Sequence, residues 1–142
     1  MADFLTNSAE WMPLVRMKLG VDEIDLPDAT LNNTILIDIA EERVKTLLAT
    51  WSTDLVDHAS NIKMAAATFL AAEWTEWCER NTPTLEYEGP YRSERAKIRW
   101  DDRHRDLIAE AFKYLGKVDS EIALYKTVAT VVSPATELFA TS

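Results

Sequence analysis

The chain is poor in glycine, cysteine and histidine. Three glycines in 142 residues disfavour a fold that needs many tight turns or a glycine-rich phosphate cradle. They favour helices joined by short connections. The lone cysteine, Cys78, excludes an intrachain disulfide and makes a cytosolic setting the default expectation. His58 and His104 lie far apart, and neither has a His or Cys at metal-ligand spacing. Positive charge is also scarce: 15 Lys and Arg stand against 24 Asp and Glu, a formal net charge of −9. So acidic a surface repels the phosphate backbone, and indiscriminate binding to DNA or RNA is not expected. Passage of DNA without adhesion is compatible with it. No apolar run approaches the roughly 20 residues of a membrane span, and Met1 to Leu5 has no basic leader character, so no secretion signal is expected.

What is present is helical periodicity. Apolar residues make up 47% of the chain, enough for one domain with a real core. Ser8 is a candidate cap for a first helix carrying Trp11, Met12, Val15 and Leu19, stopped by Gly20. An acidic connector, Val21 to Asp28, follows. The pattern predicts a second helix from an Asp28 cap to about Ala49. Leu36, Ala40, Val44, Leu47 and Trp51 line its inner face, and Asp38, Glu41, Glu42 and Lys45 its outer face. A third helix, capped by Ser52 or Thr53 and late to start or kinked, runs to about Arg80. Ile62, Ala66, Phe69 or Leu70, and Trp77 form its stripe, and its alanines permit close helix approach. Asn81 to Tyr91, with Pro83, Gly89 and Pro90, reads as an exposed loop. A fourth helix runs from about Ser93 to Leu115. It sets Trp100, Leu107, Ile108, Ala111 and Leu115 opposite Arg92, Arg95, Arg99 and Arg103. The expected fold is all-α: about four helices over residues 1–116, with an extended C-terminal arm over 117–142.

That arm has its own character. From Thr127 to Ser142 the one charged side chain is Glu137, among Val128, Val131, Val132, Leu138 and Phe139. The segment is too small for its own core and too apolar and β-branched for a solvated tail. It reads as a strip that needs a surface, on its own domain or on another protein.

The chemistry-bearing side chains each have a plain structural explanation. The arginine stripe is a solvated face or an electrostatic contact with an acidic copy of the same chain. Asp22, Glu23, Asp25 and Asp28 do not match an EF-hand loop, and Leu26-Pro27 interrupts them; capping and solvation explain them. His104 falls on an apolar face, where a hydrogen-bonded structural role is expected. Glu73, Glu76 and Cys78 are the residues an enzyme would draw on, but no nucleophile, P-loop or dinucleotide motif accompanies them. Five tryptophans suit core packing or interface anchoring. No catalysis, metal or cofactor is expected.

The order of parts resembles a known family. A first helix ends in Lys18-Leu19-Gly20-Val21, and the connector Asp22-Glu23-Ile24-Asp25-Leu26-Pro27-Asp28 follows. Then come a helix beginning Leu31-Asn32-Asn33-Thr34-Ile35 and an alanine-rich helix with Ala65-Ala66-Ala67 and Phe69. From about Trp11 to Leu115 this resembles the head–tail connector (adaptor, head-completion) proteins of tailed bacteriophages. The resemblance rests on helix order and the loop pattern, not on a catalytic motif.

The resemblance implies a small helical protein of the virion neck, assembled in the host cytoplasm. It implies a homo-oligomeric ring, typically a dodecamer, between the portal and the tail or head-closure protein, with DNA passing through the channel. On that reading Val128, Val131, Val132, Leu138 and Phe139 contact the portal. Arg92, Arg95, Arg99 and Arg103 pair with Asp38, Glu41 and Glu42 of a neighbouring subunit. The alternative is a bacterial helical scaffold or regulatory protein that dimerises through the apolar strip.

Overall fold

A computed structural model describes residues 3–86 and 99–122, with backbone alone for 82–86. The described residues are all-α. They form α1 (Ser8–Leu19), α2 (Asp28–Leu31), α3 (Thr34–Leu47), α4 (Trp51–Glu86) and α5 (Trp100–Gly116). Helix α4 is the axis, and α5, α3 and α1 each pack against it. Ala65, Ala66, Ala67, Ala71 and Ala72 are all buried there, so the absence of bulk lets neighbouring helices come close. Thr68 and Thr75 turn their buried hydroxyls back onto the helix, donating to the Met64 and Ala72 carbonyls at 2.7 Å each.

The ends of α1 follow local chemistry. Asn7, not Ser8, is the N-cap, its side chain accepting from the Ala9 amide at 3.2 Å. Gly20 closes the helix at φ 77°, a left-handed value that a side chain would disfavour, and its N–H donates to the Arg16 carbonyl at 2.8 Å.

The expected second helix is in fact two. Asp28–Leu31 makes one turn, and Asn32 and Asn33 interrupt it. Asn33 then caps α3, its side chain accepting from the Ile35 amide at 3.0 Å and the Leu36 amide at 3.2 Å. A side chain that serves its own backbone amides competes with helix continuation, which is why the break falls here. Asp28 is therefore not a cap; it starts α2 and uses its carboxylate elsewhere. The inner face of α3 is also rotated by one residue from expectation. Ile37, Ala40, Glu41 and Val44 are buried, whereas Leu47 is 36% exposed.

Helix α4 starts at Trp51, ahead of the expected Ser52 or Thr53 cap and not late; of the two forms expected it takes the kinked one, bending at His58 (φ −121°, ψ 27°), and it continues to Glu86. The first part of the expected loop, Asn81–Glu86, is thus helical. Helix α5 starts at Trp100, because Arg99 is extended at φ −81°, ψ 96°. The expected helix from Ser93 therefore does not run unbroken through Arg99.

Gly116 does not end the domain. Val118 packs on the core and Ile122 is 4% exposed within it. Asp119 starts another helical turn, its side chain accepting from the Glu121 amide at 3.0 Å. The start of the expected arm, at 117, belongs to the folded body. Val128, Val131, Val132, Leu138 and Phe139 lie outside the described residues, as do Arg92, Arg95, Tyr87 and Tyr91.

Candidate functional site

Three features hold the chemistry: a pinned connector, a clamped N-terminal segment and an apolar groove. Arg16 builds the first. Its Cα sits on the buried side of α1, and the residue is 5% exposed. The guanidinium Nε donates to the Leu26 carbonyl at 2.9 Å, and a terminal nitrogen pairs with the Asp28 carboxylate. A buried charge requires such partners, and these two lie at opposite sides of Pro27. The other connector acids serve the backbone. Asp22 accepts from the Ile24 and Asp25 amides at 3.0 and 2.9 Å. Among the described residues no group of three or more His, Cys, Asp or Glu is placed to hold a metal ion.

Glu41 builds the second. It was expected on an outer face, in contact with a neighbouring subunit, but it is 2% exposed. Its carboxylate accepts from the amides of Asp3, Phe4 and Leu5 at 2.7, 3.0 and 2.8 Å. This holds the N-terminal segment on the core, where Phe4 meets Trp51 edge-on at 5.4 Å. Lys45 pairs with the Asp3 carboxylate, and that hydrogen bond raises the Lys45 pKa above its ordinary value. Glu41 is occupied within its own chain and is not a surface acid.

The third feature is a groove of about 620 Å³ where α3, α4 and α5 meet. Phe69, Ile108 and Phe112 line it with Ile39 and Leu47, and the Phe69 and Phe112 rings meet edge-on at 6.0 Å. Asp38, Glu42, Arg43 and Thr46 complete its lining. Arg43 is committed there, ion-paired to Glu73 at 3.1 Å and set 5.8 Å from the centre of the Phe69 ring. The two acids expected to meet a neighbour, Asp38 and Glu42, are exposed at this groove. Sequence reading missed the groove because its walls come from three helices far apart in the chain.

The arginines divide. Arg103 donates to the Lys18 carbonyl at 3.1 Å, satisfying the open end of α1, while Lys18 pairs with Glu110 at 2.7 Å. Arg103 thus engages one guanidinium nitrogen within the chain and is half-exposed. Arg99 is exposed, with Asp102 at 3.9 Å. Both line a charged hollow of about 560 Å³ with Met17 and Asp106. Arg99 is extended and stands just before α5, while Arg103 is on it; Arg92 and Arg95 lie outside the described residues.

The residues an enzyme would use stand apart. Glu73 holds Arg43, and the exposed Glu76 faces Arg80 at 4.0 Å. Cys78 is buried, and desolvation pushes its thiol up to about 12, far from a reactive thiolate at neutral pH. His104 bonds within the fold: Nδ1 donates to the Ala72 carbonyl at 3.0 Å, beside Thr75 Oγ1 at 3.1 Å. The tryptophans pack: Trp11, Trp74 and Trp100 are buried, and Trp51 and Trp77 are half-buried against the core. No helix among the described residues is long and apolar enough to cross a membrane.

No protein-family model, curated protein or solved structure matches this chain.

Proposed function

We propose that this protein is a structural adaptor at the head–tail interface of a tailed phage. It assembles as a homo-oligomeric ring between the portal and the next neck component and extends the DNA channel. The observation that supports this reading most is the connector. Residues 18–28, one of the stretches on which the resemblance rests, form a built element whose shape is set by Arg16 and by the Asp22 side chain. A loop so fixed can present the same surface in every copy of a ring. The net charge of −9 suits a channel that DNA slides through without adhering. Among the described residues Asp38, Glu42 and Arg99 are exposed, and they are proposed, with Arg92, Arg95 and Arg103, for contacts between subunits. Val128, Val131, Val132, Leu138 and Phe139 are the proposed contacts with the portal.

Binding of the purified chain to the portal protein of the same genome tests the proposal. The full chain is expected to bind, and a form lacking 127–142 is expected to bind far more weakly. No binding by the full chain, together with a stable dimer in solution, would favour the scaffold alternative. Undiminished binding by the truncated form would falsify the arm as the docking element.

A further inference from the structure

Two depressions flank α5, and their linings are complementary. The first is the groove shared with α3 and α4, apolar at Ile39, Leu47, Phe69, Ile108 and Phe112 and edged by Asp38 and Glu42. Asp38 makes no ion pair among the described residues, and Glu42 has Lys45 at 4.0 Å, itself bound to Asp3. The two carboxylates stand one turn apart, a spacing at which like charges repel. The second is the charged hollow shared with α1, which contains Met17, Arg99 and Arg103. Acids line it too, but Arg105 takes Asp102 and Lys18 takes Glu110, which leaves Asp106. Arg99 reaches Asp102 only at 3.9 Å, and its side chain is 79% exposed. Met17, 68% exposed, is the large apolar side chain at this hollow that is open to solvent. At about 100° of turn per residue, Ile108 and Phe112 lie roughly opposite Arg103 and Glu110 around α5. The buried stripe of Trp100, Leu107, Ala111 and Leu115 runs between them. The groove and the hollow therefore open on opposite flanks of this helix.

We infer that the groove is filled by a second copy of this chain, joined head to tail. Met17 of one copy enters the groove of the next, and Arg99 beside it meets Asp38 and Glu42 at the groove's edge. An unbranched thioether suits an irregular apolar groove and packs well against rings such as Phe69 and Phe112. A cation between two repelling carboxylates relieves their repulsion. Packing groove against groove would instead set Asp38 and Glu42 of both copies against one another, so charge favours two different faces over one face used twice. A contact between different faces leaves each copy with one free groove and one free Met17, so it propagates to a third copy and closes as a ring where the rotation allows. The inference rests on the homo-oligomer of the proposed function. It adds the two faces that meet and an apolar anchor, Met17, that lies outside the charged pairs.

Sedimentation of the full chain over a concentration series tests this, with Ile39→Lys to block the groove and Met17→Ser to remove the anchor. Both side chains are exposed, so both variants are expected to keep the helix content and unfolding transition of the parent. The parent is expected to self-associate, and each variant about tenfold or more weakly. An equimolar mixture of the two variants is expected to form a one-to-one heterodimer and stop there, because each retains one intact face. Impairment by Ile39→Lys alone, with no heterodimer in the mixture, would mean that the groove packs on itself and would overturn the inference. Self-association untouched by both changes, or a parent that stays monomeric at every concentration, would overturn it too. Self-association through other residues would strike this contact and leave a ring standing. Failure to bind a portal would strike the adaptor reading and leave the sedimentation result untouched, so the two proposals fail separately.

Discussion

Replacing Glu41 by Ala should release the N-terminal segment from the core. The carboxylate accepts three amide hydrogen bonds, from Asp3, Phe4 and Leu5. A hydrogen bond to a charged group contributes about 1.5–3 kcal/mol, and such contributions do not simply add. Two of the three donors are themselves buried, so leaving them in place without an acceptor costs about 1–3 kcal/mol each. The segment can escape that cost by detaching, which rehydrates the amides. It then forfeits the burial of Phe4 (1% exposed) and Leu5 (5% exposed), about 1.5–3 kcal/mol per side chain. Both routes lead to a loss of about 3–5 kcal/mol, a large part of the stability of an ordinary domain.

Urea unfolding followed by tryptophan fluorescence measures that loss. Hydrogen exchange distinguishes the routes, because detachment exposes the amides of residues 3–5 while the α4 core stays protected. Glu41→Gln keeps one oxygen acceptor but sets an NH₂ group against the amide donors, so it should lose about 2 kcal/mol or more. A change below about 1 kcal/mol in Glu41→Ala, with Phe4 and Leu5 still protected, would refute the clamp. A loss of self-association in that variant without a loss of stability would restore Glu41 to a surface between subunits.

Arg16→Met keeps the apolar stem but removes the donors to the Leu26 carbonyl and Asp28. Asp28 is well exposed and can rehydrate, so the loss should be about 1–3 kcal/mol, read by thermal unfolding, with faster protease cleavage within 21–28. Equal cleavage in both proteins would contradict the pinning role. Cys78 gives a pH dependence. Burial favours its neutral thiol in the folded state, with the pKa raised to about 12. Above the unfolded thiol pKa of about 8.5, the unfolded chain releases a proton that the folded chain retains, so stability falls as pH rises from there towards 12. Cys78→Ala should flatten that alkaline limb. The native thiol should also resist a thiol reagent at pH 8 and react once urea unfolds the chain; prompt reaction of the folded protein would contradict its burial.

The helical class, the stop at Gly20, the kink in α4 and the tryptophan packing were legible because period and caps are local signals. The break at Asn32–Asn33 was less so, since an asparagine within a helical pattern is tolerated or breaks it according to its hydrogen bonds. The face of α3 turned on one residue. Leu36 and Leu47 suggested one stripe, and Ile37, Ala40, Val44 and Leu48 define the buried one. In that register Glu41 falls inside. Its partners are backbone amides of Asp3, Phe4 and Leu5, and no residue type announces those. Arg16 carried a readable signal, a cation among Met12, Val15 and Leu19 ahead of an acidic loop. Arg103 could not be assigned from spacing, because the break at Arg99 and the carbonyl of Lys18 that it reaches are tertiary facts. The groove is of the same kind, assembled from residues 38–47, 69 and 108–112.

Electron microscopy of this protein bound to the portal of the same genome tests the central claim most directly. The adaptor account predicts a ring of copies coaxial with the portal, its channel continuous with the portal's and its C-terminal arms running into the portal. Scattered monomers or dimers on the portal, or a portal left bare beside a soluble dimer, would contradict it.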